Sequence, residues 1–178
     1  MKANIIVASL LMLALFSSCK DEKKEEAKAA PVLNNIQVTL DLVIKKDDSL
    51  QLFYKDEAIP AFNEENSIIT PVKGSSERQE IVFNLPEEIT PTELRFDIGN
   101  KEGQLPVVIN NFKMQYKDAI YDSKDSTMLY FLPNNQLKYD QATKTLTYNK
   151  VENEPYDPFI YSTELLKKQV GNLYKTKK

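Results

Sequence analysis

The sequence predicts an all-β domain, an antiparallel sandwich or barrel, followed by one short C-terminal helix. Apolar and polar residues alternate with a period of two in roughly eight to ten short segments, as half-buried strands require. Residues that favour turns separate these segments, and no helical segments alternate with them. These two observations exclude parallel α/β architectures. They favour a single domain that spans residues 35–178.

The first half of the domain reads as five strands. Alternation is longest at 36–44, and a turn at 46–49 leads to the second strand, so we expect these two strands to form a hairpin. Pro71 assigns the third strand to a sheet edge or a strand end. The predicted strands are residues 36–44, 50–54, 67–72, 80–85 and 94–98.

The second half begins with a long extended run at 106–116. Asn110 and Asn111 interrupt its alternation, which predicts a β-bulge. Shorter strands are predicted at residues 127–132, 136–139, 143–148 and 159–161. A helix is expected from Ser162, as the N-terminal cap, to residue 175, with an apolar stripe of Leu166, Val170 and Leu173.

The N-terminus has the order of a secretory signal peptide. One lysine precedes an apolar run of about a dozen residues, and small residues lie just before Cys19, the single cysteine. The run is shorter than the roughly 20 residues that span a bilayer. We therefore assign residues 1–18 to a signal peptide. One cysteine cannot form an internal disulfide. Cys19 is then either a site of modification or the spare thiol of an ordinary secreted protein.

Residues 15–19, Leu-Phe-Ser-Ser-Cys, resemble the lipobox of bacterial lipoproteins, with Phe16 in place of the usual aliphatic residue. The resemblance implies cleavage before Cys19, a diacylglycerol on its sulfur and an acyl group on its new amino terminus. Membrane lipid would then be a partner through Cys19, since two or more acyl chains anchor a small protein stably.

Residues 19–34 carry dense charge of both signs, which predicts a solvated tether. Lys20, Asp21 and Glu22 also resemble the acidic surface-export signal of lipoproteins in one group of Gram-negative bacteria. That resemblance implies the outer membrane, facing outward. A plain periplasmic linker is the alternative.

Composition excludes several function classes. The chain has no histidine, so Ser-His and Cys-His nucleophile pairs and imidazole zinc ligands are excluded. A net charge of −3 disfavours a nucleic-acid partner, which usually requires a basic excess. The chemistry that remains open is catalysis by a carboxylate pair, catalysis by a lysine or tyrosine with a shifted pKa, or calcium binding through oxygen ligands.

Four segments of the middle third of the chain resemble a β-sandwich accessory domain found beside bacterial cell-surface glycan enzymes. They are residues 50–54, 62–67, 81–86 and 94–100, the last reading Leu-Arg-Phe-Asp-Ile-Gly-Asn. In the family pattern Pro is favoured where Ile98 stands. The resemblance implies a jelly-roll-like fold of the carbohydrate-binding-module kind.

Two pairs of residues are candidate ligand contacts. Arg95 and Asp97 lie two apart on one strand and share a face, where they could grip a sugar hydroxyl or carboxylate; the alternative is a structural ion pair that fixes the Gly99 turn. Tyr121 and Tyr156 lie in loop-like surroundings and could present flat aromatic faces to a sugar.

Three carboxylates suggest a metal site. Glu64, Glu65 and Asp97 could hold a structural calcium, since hard cations need several oxygens; no other cofactor is expected.

The leading expectation is a non-enzymatic, lipid-anchored envelope protein that binds a glycan or a partner protein. The alternatives are a structural lipoprotein that docks on another envelope protein, and a carboxylate-based glycosidase.

Overall fold

The structure, a computed structural model, describes residues 34–175. The predicted signal peptide, Cys19 and all of the predicted tether except Asn34 lie outside these residues. The described strands are β1 (Gln37–Val43), β2 (Asp48–Lys55), β3 (Ser67–Val72), β4 (Gln79–Asn84), β5 (Glu93–Ile98), β6 (Val107–Tyr116), β7 (Ala119–Asp122), β8 (Phe131–Pro133), β9 (Leu137–Asp140), β10 (Thr145–Tyr148) and β11 (Phe159–Ser162). The helices are α1 (Thr127–Tyr130) and α2 (Glu164–Lys175), with single 3₁₀ turns at Glu64–Asn66 and Lys124–Ser126.

The strands form two antiparallel sheets, which confirms the predicted β-sandwich. The first sheet has the order β4-β1-β6-β10-β9, with β7 also paired to β6, and the second has the order β3-β2-β5-β11-β8. Four neighbouring strands of each sheet have the order of a jelly roll, with the chain starting at what is usually the third strand. These strands are β4-β1-β6-β10 in the first sheet and β3-β2-β5-β11 in the second. No helix within residues 34–175 is long and apolar enough to cross a membrane.

Phenylalanine rings join the two sheets at the centre of the core. Phe96 of the second sheet lies 5.7 Å from Phe83 and 6.2 Å from Phe112 of the first, measured between ring centroids. Phe131 lies 5.5 Å from Phe96. All four rings are fully buried. The alternating apolar positions of the sequence therefore line one continuous core between the sheets.

The predicted bulge is confirmed. Asp41 of β1 pairs with Asn111 and Leu42 pairs with Ile109, so Asn110 is the additional residue of β6. It lets both Ile109 and Phe112 point into the core, where each is buried.

The predicted hairpin of the first two strands is wrong. Strand β2 pairs with β3 and β5 in the second sheet, and β1 pairs with β4 and β6 in the first. Residues 44–47 connect the first sheet to the second. At the start of this connection the backbone N–H of Ser75 donates to the carbonyl of Ile44 at 2.8 Å. Alternation specifies which face of a strand is buried but does not specify its neighbour.

Three local predictions also need correction. Residues 127–130 form α1 instead of a strand, because the 3₁₀ turn before them continues into a helical turn and the Ser123 and Thr127 hydroxyls lie 2.9 Å apart. Tyr121 lies in β7, not in a loop. The Ser162 hydroxyl accepts the Leu94 N–H at 2.9 Å and ends β11, so α2 begins two residues later. The apolar stripe predicted for this helix is buried, as expected.

Candidate functional site

A cavity of about 210 Å³ lies at one end of the sandwich. Three connections contribute to its wall: the one after β5, the one before β9 and the one after β10. The side chains that matter for its chemistry are Glu102, Gln104, Gln136, Tyr148, Glu154 and Tyr156. Of the four predicted ligand contacts, Tyr156 is therefore the one placed in this cavity.

Two tyrosines stack in the cavity wall. The rings of Tyr148 and Tyr156 lie 6.3 Å apart between centroids, with an interplanar angle of 27°. The Tyr148 hydroxyl donates to the Ile98 carbonyl at 2.7 Å, and burial raises the pKa of Tyr148 far above its usual value. Tyr148 is thus a fixed, neutral part of the wall.

The Tyr156 hydroxyl is the one buried side-chain group in the cavity wall whose hydrogen-bonding capacity is unsatisfied among the described residues. This atom is buried, and it finds no hydrogen-bond partner among residues 34–175. Burial, followed by the charges of Asp48 and Glu102, raises the pKa of Tyr156 to about 12. At neutral pH the hydroxyl is therefore protonated, with one donor and its acceptor capacity unused.

A buried carboxylate, Asp48, lies near these tyrosines. It accepts hydrogen bonds from the backbone N–H groups of Ser49 (2.8 Å) and Asn100 (2.9 Å) and from the Gln104 amide (3.0 Å). Gly99, at φ +96°, makes this arrangement possible, because a Cβ atom there would lie 2.9 Å from Asp48 Oδ2 and 3.4 Å from the Tyr148 hydroxyl.

The segment that carries Tyr156, residues 149–158, is held by side chains from the β8–β9 connection. Gln136 donates to the Pro155 carbonyl at 2.7 Å and accepts the Asp157 N–H at 2.8 Å. Asn134 donates to the Asp157 carbonyl at 2.7 Å. We call residues 149–158 the Tyr156 loop; its backbone is fixed on both sides of the tyrosine.

Arg95 and Asp97 share the outer face of the second sheet, as predicted. Arg95 Nε donates to Asp97 Oδ1 at 2.6 Å, and Arg95 Nη2 also forms an ion pair with Asp157 of the Tyr156 loop. The guanidinium lies 3.8 Å from the ring centroid of Phe159 and 5.2 Å from that of Phe53. These contacts match the ion-pair interpretation of Arg95 and Asp97; sugar contact by the pair stays a prediction.

The Asp97 carboxyl is strongly perturbed by its surroundings. Burial raises the pKa of Asp97 to about 6, although the hydrogen bonds and charge of Arg95 act in the opposite direction. The negative charges of Asp157 and Glu64 raise it further. Arg95 therefore pairs with two carboxylates, those of Asp97 and Asp157, while Glu64 adds a further negative charge near Asp97.

The residues proposed for calcium are not gathered into one site. Glu64 accepts a hydrogen bond from the Gln51 amide at 2.7 Å, and Glu65 is exposed. Within the described range 34–175, no group of three or more acidic, cysteine or histidine side chains is placed to hold a metal ion.

Tyr121 lines a second, smaller cavity of about 170 Å³ between β7 and α2, together with Ile120, Gln169 and Leu173. Its ring packs edge-on against Tyr130 at 5.4 Å. Burial, together with a hydrogen bond to Tyr130, raises the pKa of Tyr121 far above its usual value. The structure thus separates Tyr121 from Tyr156 and gives Tyr121 packing partners.

Sequence reasoning did not identify Tyr148 and Asp48 as parts of a site. Tyr148 lies in the predicted strand 143–148 and Asp48 in the predicted turn 46–49, and neither position indicates a site. The available sequence signal is Gly99 followed by Asn100, because these residue types favour tight turns; the structure gives Gly99 a positive φ.

Comparisons with known proteins gave no match. No protein-family model matches the sequence, and neither a search of curated proteins nor a search of solved structures returned a significant relative.

Proposed function

We propose that the domain is a non-enzymatic binding module that holds the end of a glycan chain in the cavity beside Tyr156. The observation that carries the proposal is the Tyr156 side chain, which combines a ring in a cavity wall with a hydroxyl that has no hydrogen-bond partner in the described part of the chain. Aromatic faces pack against the C–H faces of sugar rings, and a free hydroxyl can bind sugar hydroxyls.

The dimensions of the cavity favour one sugar ring. Pockets for drug-sized ligands usually measure about 300–1,000 Å³, and this cavity is smaller, at about 210 Å³. A ring between Tyr148 and Tyr156 would need about 3.5–4 Å on each side, more than the 6.3 Å that separates the centroids. The sugar would therefore stack on one face of the Tyr156 ring, which suits a chain end.

Two of the carboxylates near the cavity, Asp48 and Glu154, are already occupied by hydrogen bonds, which favours binding over catalysis by these two groups. Asp48 already accepts three hydrogen bonds, and Glu154 accepts two from the Asn135 amide. The chain also contains no histidine that could act as a general acid or base.

A glycan array probed with the full chain in detergent tests the proposal. We expect binding to oligosaccharides that share a terminal residue, and Tyr156→Ala should weaken it at least about fivefold, since an aromatic side chain that stacks on a nucleic-acid base contributes about 1–3 kcal/mol and a sugar ring offers a similar contact. Tyr161→Ala is the matched control, because Tyr161 is an exposed tyrosine on the outer face of the second sheet. An array with no bound glycan, or binding that survives Tyr156→Ala unchanged, would refute the proposal.

We further propose that acylated Cys19 anchors this domain to the outer membrane at the cell surface. The lipobox-like segment and the charged residues after it support this placement. Cys19→Ala should move the protein from the membrane fraction to the soluble fraction. Tight membrane association of that variant would contradict the anchor, and resistance to added protease in intact cells would place the domain on the periplasmic face.

Docking on another envelope protein is a second candidate, favoured by an exposed apolar pair. Leu132 and Tyr161 lie opposite each other on β8 and β11, with 47% and 40% of their surfaces exposed, and β8 is the outermost strand of its sheet. Such an edge can accept a further strand from a partner. Cross-linking in intact cells should then recover one protein, and Leu132→Glu should abolish its recovery; recovery that is unaffected would exclude this edge.

A further inference from the structure

We infer that Arg95 is a positioning residue of the cavity: through Asp157 it fixes the neighbouring Tyr156 in the cavity wall. The predicted consequence for sugar affinity rests on the proposed function, whereas the positioning itself does not. Arg95 belongs to β5, on the outer face of the second sheet, and is not among the residues that line the cavity.

Arg95 is itself held firmly. Asp97 accepts hydrogen bonds from Arg95 Nε at 2.6 Å and from Nη2 at 3.1 Å. The rings of Phe53 and Phe159 lie within 5.2 Å and 3.8 Å of the guanidinium carbon, so the flat cation is stacked as well as paired. A group with so little freedom can serve as a fixed point for a loop, because little further entropy is lost when the loop binds it.

Asp157 transmits this constraint to Tyr156. The Asp157 carboxylate binds Arg95 Nη2, while its backbone N–H and carbonyl bind Gln136 and Asn134. Tyr156 precedes Asp157 directly, so a rotation of the Asp157 backbone changes the orientation of Tyr156 across a single peptide bond. The ion pair and the two backbone contacts together fix the direction in which the Tyr156 ring leaves the chain.

The geometry requires an arginine at position 95. One guanidinium nitrogen, Nε, binds Asp97, and another, Nη2, binds both Asp97 and Asp157. A lysine has one nitrogen and no planar fork, so it cannot reproduce this arrangement while stacked between two rings. Arg95→Lys should therefore break the contact with the Asp157 carboxylate and leave the loop held only by Gln136 and Asn134.

Tyrosine titration tests the positioning without any ligand. Asp157→Asn is the main variant, because Arg95 keeps Asp97 as a partner and the Asp157 side chain is 44% exposed, so folding should be retained. If the loop is released, the pKa of Tyr156 should fall from about 12 toward its usual value of about 10, and one further tyrosine should ionise in the ultraviolet titration. The double variant Asp157→Asn with Tyr156→Phe should lack that additional ionisation. An unchanged titration in Asp157→Asn and in Arg95→Lys would overturn the inference.

Sugar affinity supplies the second readout, measured with the best glycan from the array. Asp157→Asn and Arg95→Lys should each lower affinity about 5- to 10-fold, the loss expected when one hydrogen bond of ordinary net strength no longer supports the loop. Arg78→Lys is the matched control, since Arg78 is the other arginine of the chain and binds Asp41 on the first sheet. Unchanged affinity with a shifted titration would refute the link to binding. Absence of binding by the wild-type chain would refute the proposed function, and the titration alone would then decide the positioning role.

Discussion

Replacing Asp97 by asparagine should remove a pH dependence of folding that the wild-type chain possesses between about pH 4 and pH 7. The Asp97 carboxyl is 7% exposed, and burial raises its pKa from 3.8 to about 6 in the folded state. In this window the folded chain holds a proton that the unfolded chain releases. Lowering the pH through 6 should therefore stabilise the fold, the opposite of the usual behaviour of a paired aspartate.

The size of the effect follows from the two pKa values. At about 1.4 kcal/mol per pKa unit, the full difference is about 3 kcal/mol, and the part gained between pH 7 and about pH 4.5 is about 2 kcal/mol. The pKa of Asp47, Asp122, Asp125 and Asp140 is lowered in the folded state. These four groups are still ionised at about pH 4.5, and the stability that they contribute is lost only at lower pH.

Urea unfolding at several pH values between about 4.5 and 7 measures this directly. The wild-type midpoint should rise as the pH falls, and the midpoint of Asp97→Asn should stay nearly constant. Asp140→Asn is the control, because that carboxylate has a lowered pKa and lies on the surface. A wild-type midpoint that is flat or falls toward about pH 4.5, or an Asp97→Asn variant that keeps the rise, would refute the reasoning.

Core packing and glycine geometry provide two further predictions. Phe96→Ala should lower the free energy of unfolding by about 3–5 kcal/mol in denaturant titrations, because this ring joins the two sheets, whereas Ile120→Ala, at a 63% exposed position, should change it by less than about 0.5 kcal/mol. A small loss at Phe96 would contradict its central role. Gly171→Ala, inside α2 with open space around it, should raise the melting temperature and stabilise the fold by about 0.5–1 kcal/mol. Gly74→Ala should lower the melting temperature and the free energy of unfolding, since a Cβ there would lie 2.7 Å from the backbone of Lys46. A Gly74→Ala variant that is more stable than Gly171→Ala would contradict this packing.

Sequence periodicity predicted most of the strands but not how they pair. The alternating side chains of β1 and of the residues on either side of it are fully buried at Ile36, Val38, Leu40, Leu42 and Ile44, as a period of two requires. The same pattern continues in β2, and a short turn between two such segments usually makes a hairpin. Here both edges of β1 are occupied by β4 and β6, strands that are distant in sequence. That choice depends on the packing of the whole sandwich, which no local pattern contains.

The candidate site was predictable only in part. The sequence indicates Tyr156 because it places this aromatic residue in loop-like surroundings, where binding residues often lie. Its neighbours were not predictable, because Tyr148 ends a strand and Asp48 begins one, and each looks ordinary in its own segment. They meet because the jelly-roll order brings the ends of β2, β5 and β10 to the same end of the sandwich.

If Tyr156 binds a ligand as proposed, its connection to Arg95 separates rigidity from recognition. Arg95 lies in a central strand, where its partners on β5 and β11 are fixed by backbone pairing. Tyr156 lies in a loop, where its side chain can be replaced without disturbing a sheet. Asp157 links the two, so the loop receives its orientation from the sheet while its contact residue stays independent of the core. A change of ligand would then require substitutions in residues 149–156, with Arg95, Asp157 and Gln136 retained as the supports of the loop.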